Sequence, residues 1–220
     1  MTREEIRDLS RKRLGETTSA FWSDAELNTW INDAGHDIAF RTKCLRTNGT
    51  MTPVADTASY VMSTQFPDLL SVLEVYHFTD GLTWQKLDPT NRTDLDATHQ
   101  GWQSVESGTP YEYYWDREEN VLYLYVPPSS AQVGTDYVKV YYTKDYVDLS
   151  ADESESGLPD RLHWAQVDYV VSTGYETRGH GDKSNDAWSK YFQRLHDYQV
   201  ERNREKEDDD LIMKNYRNIW

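Results

Sequence analysis

Histidine, cysteine and carboxylate side chains could act in catalysis or bind a metal, but none of them recurs at a useful spacing. The six histidines include no HxH or HExxH pair, and Cys44 is the single cysteine, so no pair of thiolates exists for a zinc site. Neither a Walker-type phosphate loop nor a dinucleotide-binding glycine pattern is present. The sequence therefore predicts a protein that is not an enzyme, with no catalytic residues, no metal and no cofactor.

Two acidic segments of the chain could in principle bind a cation. Asp88, Asn91, Asp94 and Asp96 lie at short intervals, but the glycine and the distal glutamate of a calcium loop are missing at the right spacing. We interpret this segment as a capped turn. The Asp208–Asp210 run is interpreted as solvated charge, because charge runs near chain ends are usually exposed to water.

An aromatic run in the middle of the chain has two interpretations. Tyr111, Tyr113 and Trp115 would share one face of a strand, and Tyr114 would lie on the other. On an exposed sheet the aromatic rings would stack on sugars, which would make the chain a carbohydrate-binding or adhesive β module on a helical stalk. The favoured interpretation is cross-strand packing, in a core or a subunit contact.

The composition limits the partners. Lys plus Arg number 23 against 38 Asp plus Glu, and a net charge of -15 argues against tight binding to nucleic acid or to anionic lipid. No apolar stretch has the length of a signal peptide core or of a membrane span, so we expect no membrane partner. The single cysteine excludes an intrachain disulfide and agrees with folding in a reducing cytoplasm.

The N-terminal segment is predicted to form a helix over residues 3–14. Thr2 and Glu5 have the spacing of a capping box at its start. Gly15 can end it in left-handed geometry.

A second helix is predicted to begin after Ser23 and to run to about residue 43. Ser23 and Glu26 again have the spacing of a capping box. Apolar side chains then recur at helical intervals on one face, and they are Leu27, Trp30, Ile31, Ala34 and Ile38. This face needs a partner.

The middle of the chain is predicted to consist of five or six strands, because short runs rich in Tyr, Val, Thr and Trp alternate with turn residues. The clearest runs are Leu73–Phe78, Trp84–Leu87, Tyr111–Trp115, Val121–Val126 and Tyr137–Tyr142. The first two are predicted to form a hairpin around the turn Asp80-Gly81, and the next two a second hairpin. We expect the last run to pair with them.

Two further helices are predicted after the acidic segment 148–157, which we interpret as a solvated connection. Pro159 opens a third helix whose apolar residues cover most of its circumference, which indicates a central position. A fourth helix is predicted over residues 183–205. The predicted core of the bundle includes Leu27, Trp30, Ile31, Ile38, Trp188, Phe192 and Leu195.

The C-terminal segment is interpreted as an extended arm that binds a partner. Five carboxylates within residues 205–210 are unfavourable at the negative end of a helix dipole, so we expect the fourth helix to fray there. Each large apolar side chain docked on a partner contributes about 1.5 to 3 kcal/mol before ordering costs. The candidate binding residues are Leu211, Ile212, Met213, Tyr216, Ile219 and Trp220.

The predicted fold class is α+β. A four-helix bundle-like domain, with two N-terminal and two C-terminal helices, would comprise residues 1–48 and 158–206. An antiparallel β-rich domain over residues 49–157 would be inserted into it, and residues 207–220 would form the arm.

Three segments and the order of the elements carry a resemblance. Ile6–Leu9, Phe21–Ala34 (FWSDAELNTWINDA) and Pro67–Leu70, which leads into a strand, are similar to the head-to-tail adaptor proteins of tailed bacteriophages, also called connector or head completion proteins. Nearly the whole chain takes part in the resemblance. It implies a small helical bundle interrupted by a β-rich insertion.

The resemblance also implies a function. The chain would be a virion structural protein at the head-tail interface, assembled in the host cytoplasm, and would form a homo-dodecameric ring. That ring would bind the portal protein and offer a platform to tail or nozzle proteins. Arms that reach onto the portal occur in such adaptors, and residues 211–220 match them. Genomic DNA would pass through during ejection without specific binding, which agrees with the acidic charge.

Overall fold

The computed structural model describes residues 1–16, 21–79, 83–99 and 101–217, with side chains as far as Arg204. The fold is α+β, as predicted. The chain divides into two units. The helical unit comprises Met1–Leu45 and Tyr146–Trp220, and the inserted unit comprises Arg46–Asp145.

Six α-helices and eight strands lie in the described residues. The helices are α1 Arg3–Leu14, α2 Asp24–Thr42, α3 Met62–Gln65, α4 Arg92–Thr98, α5 His163–Thr177 and α6 Gly181–Arg217. The strands are β1 Arg46–Met51, β2 Ser59–Val61, β3 Leu69–Thr79, β4 Thr83–Lys86, β5 Asp88–Thr90, β6 Glu112–Asp116, β7 Val121–Tyr125 and β8 Val138–Lys144. The expectation of five or six strands was too low, because β1, β2 and β5 are short or polar.

Both N-terminal helices begin with a capping box, as predicted. The Glu5 backbone N–H donates to Thr2 Oγ1 at 3.2 Å, and the Thr2 N–H donates to Glu5 Oε2 at 2.9 Å. Ser23 and Glu26 make the same pair of bonds, at 3.2 and 2.8 Å. Gly15 ends α1 in the left-handed conformation. In each helix the capping box therefore provides partners for two backbone donors that the helix itself leaves unpaired.

The helical unit has one apolar core, to which α1, α2, α5 and α6 all contribute. Helix α5 packs against each of the other three, in line with its predicted central position. Of the predicted core residues, Leu27, Ile31, Ile38 and Leu195 are buried, and Trp30 and Trp188 pack partly buried against them.

Phe192 is an exception to the predicted core, since 48% of it is exposed. Helix α6 packs inward through Ala187, Tyr191 and Leu195, which are buried. Phe192 lies one position further round the helix and therefore reaches the surface.

The C-terminal half of the chain differs from the prediction at α6 and at the acidic segment before α5. Helix α6 continues to Arg217, so residues 207–217 are helical rather than an extended arm. The reason is local: no proline or glycine follows Gly181 before Arg217 to interrupt the helix.

The acidic segment before α5 is part of the helical unit, and its Leu149 is buried. Its Asp152 forms ion pairs with Arg3 and Arg7 of α1, each at 2.8 Å.

The inserted unit contains two four-stranded sheets. Their strand orders are β1-β8-β3-β4 and β2-β7-β6-β5, and all neighbours are antiparallel except β5 and β6. Both predicted hairpins are present, as β3 with β4 and β6 with β7. The predicted turn Asp80-Gly81 lies outside the described residues. Strand β8 pairs with β1 and β3 and not with the second hairpin, because its alternating pattern specifies a buried face and not a neighbour.

Candidate functional site

The helical unit has a groove between α2 and α6 that is open to solvent. Its volume is about 440 Å³. The side chains that form this α2–α6 groove are Asp37, Arg41, Tyr169, Asn185, Trp188 and Phe192. The rings of Trp188 and Phe192 stack with centroids 5.8 Å apart, and Tyr169 meets Trp188 edge-on at 5.1 Å. Half of the lining residues are therefore aromatic, and aromatic residues and arginine are enriched at protein interfaces.

Asp37 organises the charges of this groove. It accepts hydrogen bonds from the Tyr191 hydroxyl and from Arg41 Nε, the latter at 2.7 Å. Burial, together with the bond to Asp37, raises the pKa of Tyr191, so the phenol stays neutral and donates. The Arg41 guanidinium lies 5.5 Å from the Phe192 ring centroid. Charge and aromatic surface are thus fixed together on this face.

A second aromatic surface of the helical unit surrounds Arg178, which follows α5. Its guanidinium lies 4.0 Å from the Trp22 ring and 4.4 Å from the Phe21 ring. Arg178 Nη2 also donates to Glu16 Oε1 at 2.8 Å. Phe21 is 59% exposed. We call these residues the Arg178 patch.

For the six predicted portal-binding residues, the structure describes no side chain. Leu211, Ile212, Met213 and Tyr216 lie on α6, and their side chains are outside the described residues. Ile219 and Trp220 lie outside the described residues altogether. These six positions remain a prediction.

The described part of the chain contains no group of three or more His, Cys, Asp or Glu side chains that could hold a metal ion. In the segment Asp88–Asp96, Asn91 caps α4 by accepting from the Asp94 N–H at 2.9 Å, which agrees with a capped turn. The side chains of Asp208–Asp210 are outside the described residues. Among the described helices none is long and apolar enough to cross a membrane.

Another groove of the helical unit, of about 600 Å³, borders a buried ionic contact. Asp168 on α5 is 1% exposed at its side chain and accepts from Arg13 of α1 and from Arg194 of α6. The Arg194 bond is 2.6 Å long. These three residues join three helices, which is a structural role and not a catalytic arrangement.

The aromatic run of the inserted unit does not form a flat platform. Tyr113 is buried and Trp115 packs against the core, as the packing interpretation expects, while Tyr111 is exposed. Tyr114 lies on the other face of β6 and stacks on Tyr123 of β7.

The sequence reasoning missed the exposed aromatic surfaces. Phe40, at the end of α2, is 69% exposed, and Phe21 precedes the first residue of α2. Both lie off the apolar stripe of their segment, and an aromatic residue off that stripe indicates an exposed aromatic surface. The α2–α6 groove could not be found this way, because its two walls come from distant parts of the sequence.

The chain matches a known protein family. A family model described as SU10 adaptor protein matches residues 1–210. A search of curated proteins gives no match.

Proposed function

Because this chain belongs to the SU10 adaptor protein family, we propose that it is a structural protein of a phage virion which forms a ring at the head-tail interface and binds the portal. The family match carries this proposal, since it extends over the helical unit, the inserted unit and α6 as far as Asp210. It also agrees with the resemblance of Phe21–Ala34 to head-to-tail adaptors. The role is structural and not enzymatic.

Two different surfaces on the helical unit support a ring. A ring of identical subunits joined head to tail needs two non-identical, complementary surfaces on each subunit. The α2–α6 groove and the Arg178 patch are two non-identical surfaces, each with a partly exposed phenylalanine beside an arginine. We assign them to the contact between neighbouring subunits, in a ring for which the resemblance implies twelve copies.

The C-terminal part of α6 is assigned to the portal. Arg202 on α6 donates to the carbonyl oxygens of Thr42 and Lys43 at 2.7 and 3.2 Å, which fixes α6 against the end of α2. From there the helical backbone continues to Arg217, roughly 22 Å at the rise of an α-helix. Leu211, Ile212, Met213, Tyr216, Ile219 and Trp220 supply the apolar contacts of this segment.

The remaining partners follow from the position in the particle. Tail or nozzle proteins would bind the opposite side of the ring, and DNA would pass through the lumen during ejection. A net charge of -15 disfavours adhesion of DNA phosphates to the wall, because an acidic wall releases no condensed counterions.

The test uses the portal ring encoded in the same genome. The full chain and a version truncated after Asp210 are mixed with the portal, and bound copies are counted by mass and by electron microscopy. We expect the full chain to bind as a ring and the truncated chain to lose binding about 100-fold or more, since several buried apolar side chains are removed.

A variant that preserves the helix separates the effect of the apolar contacts from the effect of the length of α6. Leu211→Ala, Ile212→Ala and Met213→Ala together keep a high helix propensity and remove three of the six apolar contacts, so this variant should bind more weakly than the full chain. The matched control, Lys214→Ala with Asn215→Ala, should bind like the full chain. If the full chain does not bind the portal, the proposed function is wrong.

A further inference from the structure

The second sheet of the inserted unit borders a cavity of about 440 Å³, within the usual size range of small-molecule sites. Strands β6 and β7 supply one wall, and the short helical turn at Trp102–Ser104 supplies another. No step of the proposed adaptor function uses this cavity. A ligand at this cavity would be independent of that function.

One wall of the cavity is aromatic. Tyr114 and Tyr123 are register partners on β6 and β7, and their rings stack with centroids 5.6 Å apart and planes 14° apart. Trp102 stands at 87° to Tyr123, with centroids 6.1 Å apart. All three rings are partly exposed, which leaves aromatic surface available to a ligand.

Hydrogen bonds hold these rings in place. Trp102 Nε1 donates to Asp96 at 2.8 Å, and the Tyr114 hydroxyl donates to Asp116 at 2.8 Å. Asp116 also accepts the backbone N–H groups of Glu118 and Glu119, at 3.0 and 3.1 Å. These bonds lower the pKa of Asp116, so the carboxylate is ionised at neutral pH. The wall is preorganised without a ligand.

Two further lining groups keep their hydrogen-bonding capacity. Neither Arg92 nor Gln103 forms a side-chain hydrogen bond or ion pair with another residue of the described chain. Arg92 presents five donors in a planar fork, and the Gln103 amide presents both donors and an acceptor. Polar groups of this kind beside an aromatic wall provide orientation and specificity in a ligand site.

The charges of the lining select the ligand class. A cationic ligand would meet Arg92, and an anionic ligand would meet Asp116 and Glu119. A neutral ligand with an apolar face and a rim of hydroxyl groups satisfies both parts of the wall. A pyranose has this form, since its axial C–H bonds cover one face and its hydroxyls donate and accept at the edge. We propose that this cavity binds a neutral pyranose unit of a saccharide.

The test uses the full chain and a panel of methyl pyranosides of neutral hexoses, deoxyhexoses and N-acetylhexosamines, with their short oligosaccharides. Binding is measured by saturation-transfer NMR and calorimetry. We expect at least one neutral sugar to bind with a Kd of about 1 mM or tighter. Acidic sugars and tetramethylammonium complete the panel. Preferential binding of either of these, or of no sugar, overturns the proposal.

Variants locate the site. Trp102→Ala should weaken sugar binding about tenfold or more, and so should Arg92→Ala, which changes an exposed side chain. Trp84→Ala is the matched control, because Trp84 is an exposed tryptophan on the other sheet of the same unit. Equal loss in Trp84→Ala and Trp102→Ala would overturn the assignment. Trp102→Ala should still bind the portal, which keeps this test distinct from that of the adaptor function.

Discussion

The two units bury different kinds of polar groups. In the described part of the helical unit, four buried residues are acids or arginines, and they are Arg7, Arg11, Glu16 and Asp168. In the described part of the inserted unit, the buried polar residues are Ser71, His77, Gln132 and Thr143, none of which is an acid, a lysine or an arginine.

The difference follows from how each unit joins its elements. Strands join through backbone hydrogen bonds, whereas helices satisfy their backbones internally and meet only through side chains. In the helical unit, long charged side chains supply directional contacts between helices. Arg11 of α1, for example, donates to Asp24 of α2 at 2.6 Å. Removing one member of such a contact leaves the others without a partner, so charge changes should affect the helical unit more than the inserted unit.

The largest expected effect is that of Asp168→Ala. The change leaves Arg13 and Arg194 without their shared carboxylate, and since both arginines are partly exposed we expect a loss of about 2 to 3 kcal/mol in the free energy of unfolding. Hydrogen exchange read by mass spectrometry should show the loss in peptides of the helical unit only.

The matched control for that change is Asp186→Ala. Asp186 pairs with Lys190 at 2.6 Å on the exposed side of α6, and such a pair contributes about 0.5 kcal/mol or less. Equal losses in the two variants would show that burial of the Asp168 contact does not matter for stability.

A side chain added at a closely packed glycine should destabilise either unit to a similar extent. One glycine in each unit tests this expectation. A Cβ at Gly35 would lie 2.3 Å from the Tyr146 ring in the helical unit, and a Cβ at Gly49 would lie 2.3 Å from the Phe66 ring in the inserted unit. Gly35→Ala and Gly49→Ala should each cost about 1 to 3 kcal/mol, because the buried ring must move. Thermal unfolding and hydrogen exchange of each variant measure the cost.

Gly157→Ala is the control, since no atom lies within 4 Å of its added Cβ. It should unfold like the parent chain. If Gly35→Ala is as stable as Gly157→Ala, the approach of α2 to Tyr146 is looser than the structure has it.

The smallest expected effect is a pH dependence at Asp152. Hydrogen bonds from Arg7 and Arg3 hold the pKa of this carboxyl well below its usual range. Its stabilising contribution is therefore complete above the unfolded pKa of about 3.9 and is lost as the pH falls toward the lower folded pKa. Because the group is exposed, water screens the contribution and keeps it small.

Asp152→Asn tests this pH dependence. The stability difference between the parent chain and the variant should be constant from pH 7 to about 5 and should shrink below about pH 4, as measured by urea unfolding at each pH. A difference that grows as the pH falls would contradict the assigned direction of the pKa shift.

The sequence was most informative where the signal is local. Thr2, Glu5 and Gly15 define both ends of α1 within one short segment, and Ser23 with Glu26 defines the start of α2. The two hairpins were also predictable, because each joins strands that are neighbours in the sequence.

The remainder depends on contacts between distant residues. Strand β1 has the polar sequence RTNGTM and pairs with β8 through Arg46 and Thr143, so no local pattern identifies it. Likewise Trp102 lies beside the Tyr114–Tyr123 pair only once the chain has folded. The candidate surfaces were missed for the same reason, since sequence patterning indicates which side chains are apolar and not which of them stay uncovered.

The pairing of Arg46 with Thr143 has a consequence for the order of folding during synthesis. The helical unit is discontinuous, and α1 and α2 leave the ribosome long before α5 and α6, which complete their core. The inserted unit is contiguous, so it can fold while the last helices are still being translated. Its first and last strands are neighbours, and this pairing brings the two halves of the helical unit together and reduces the entropy lost when they join.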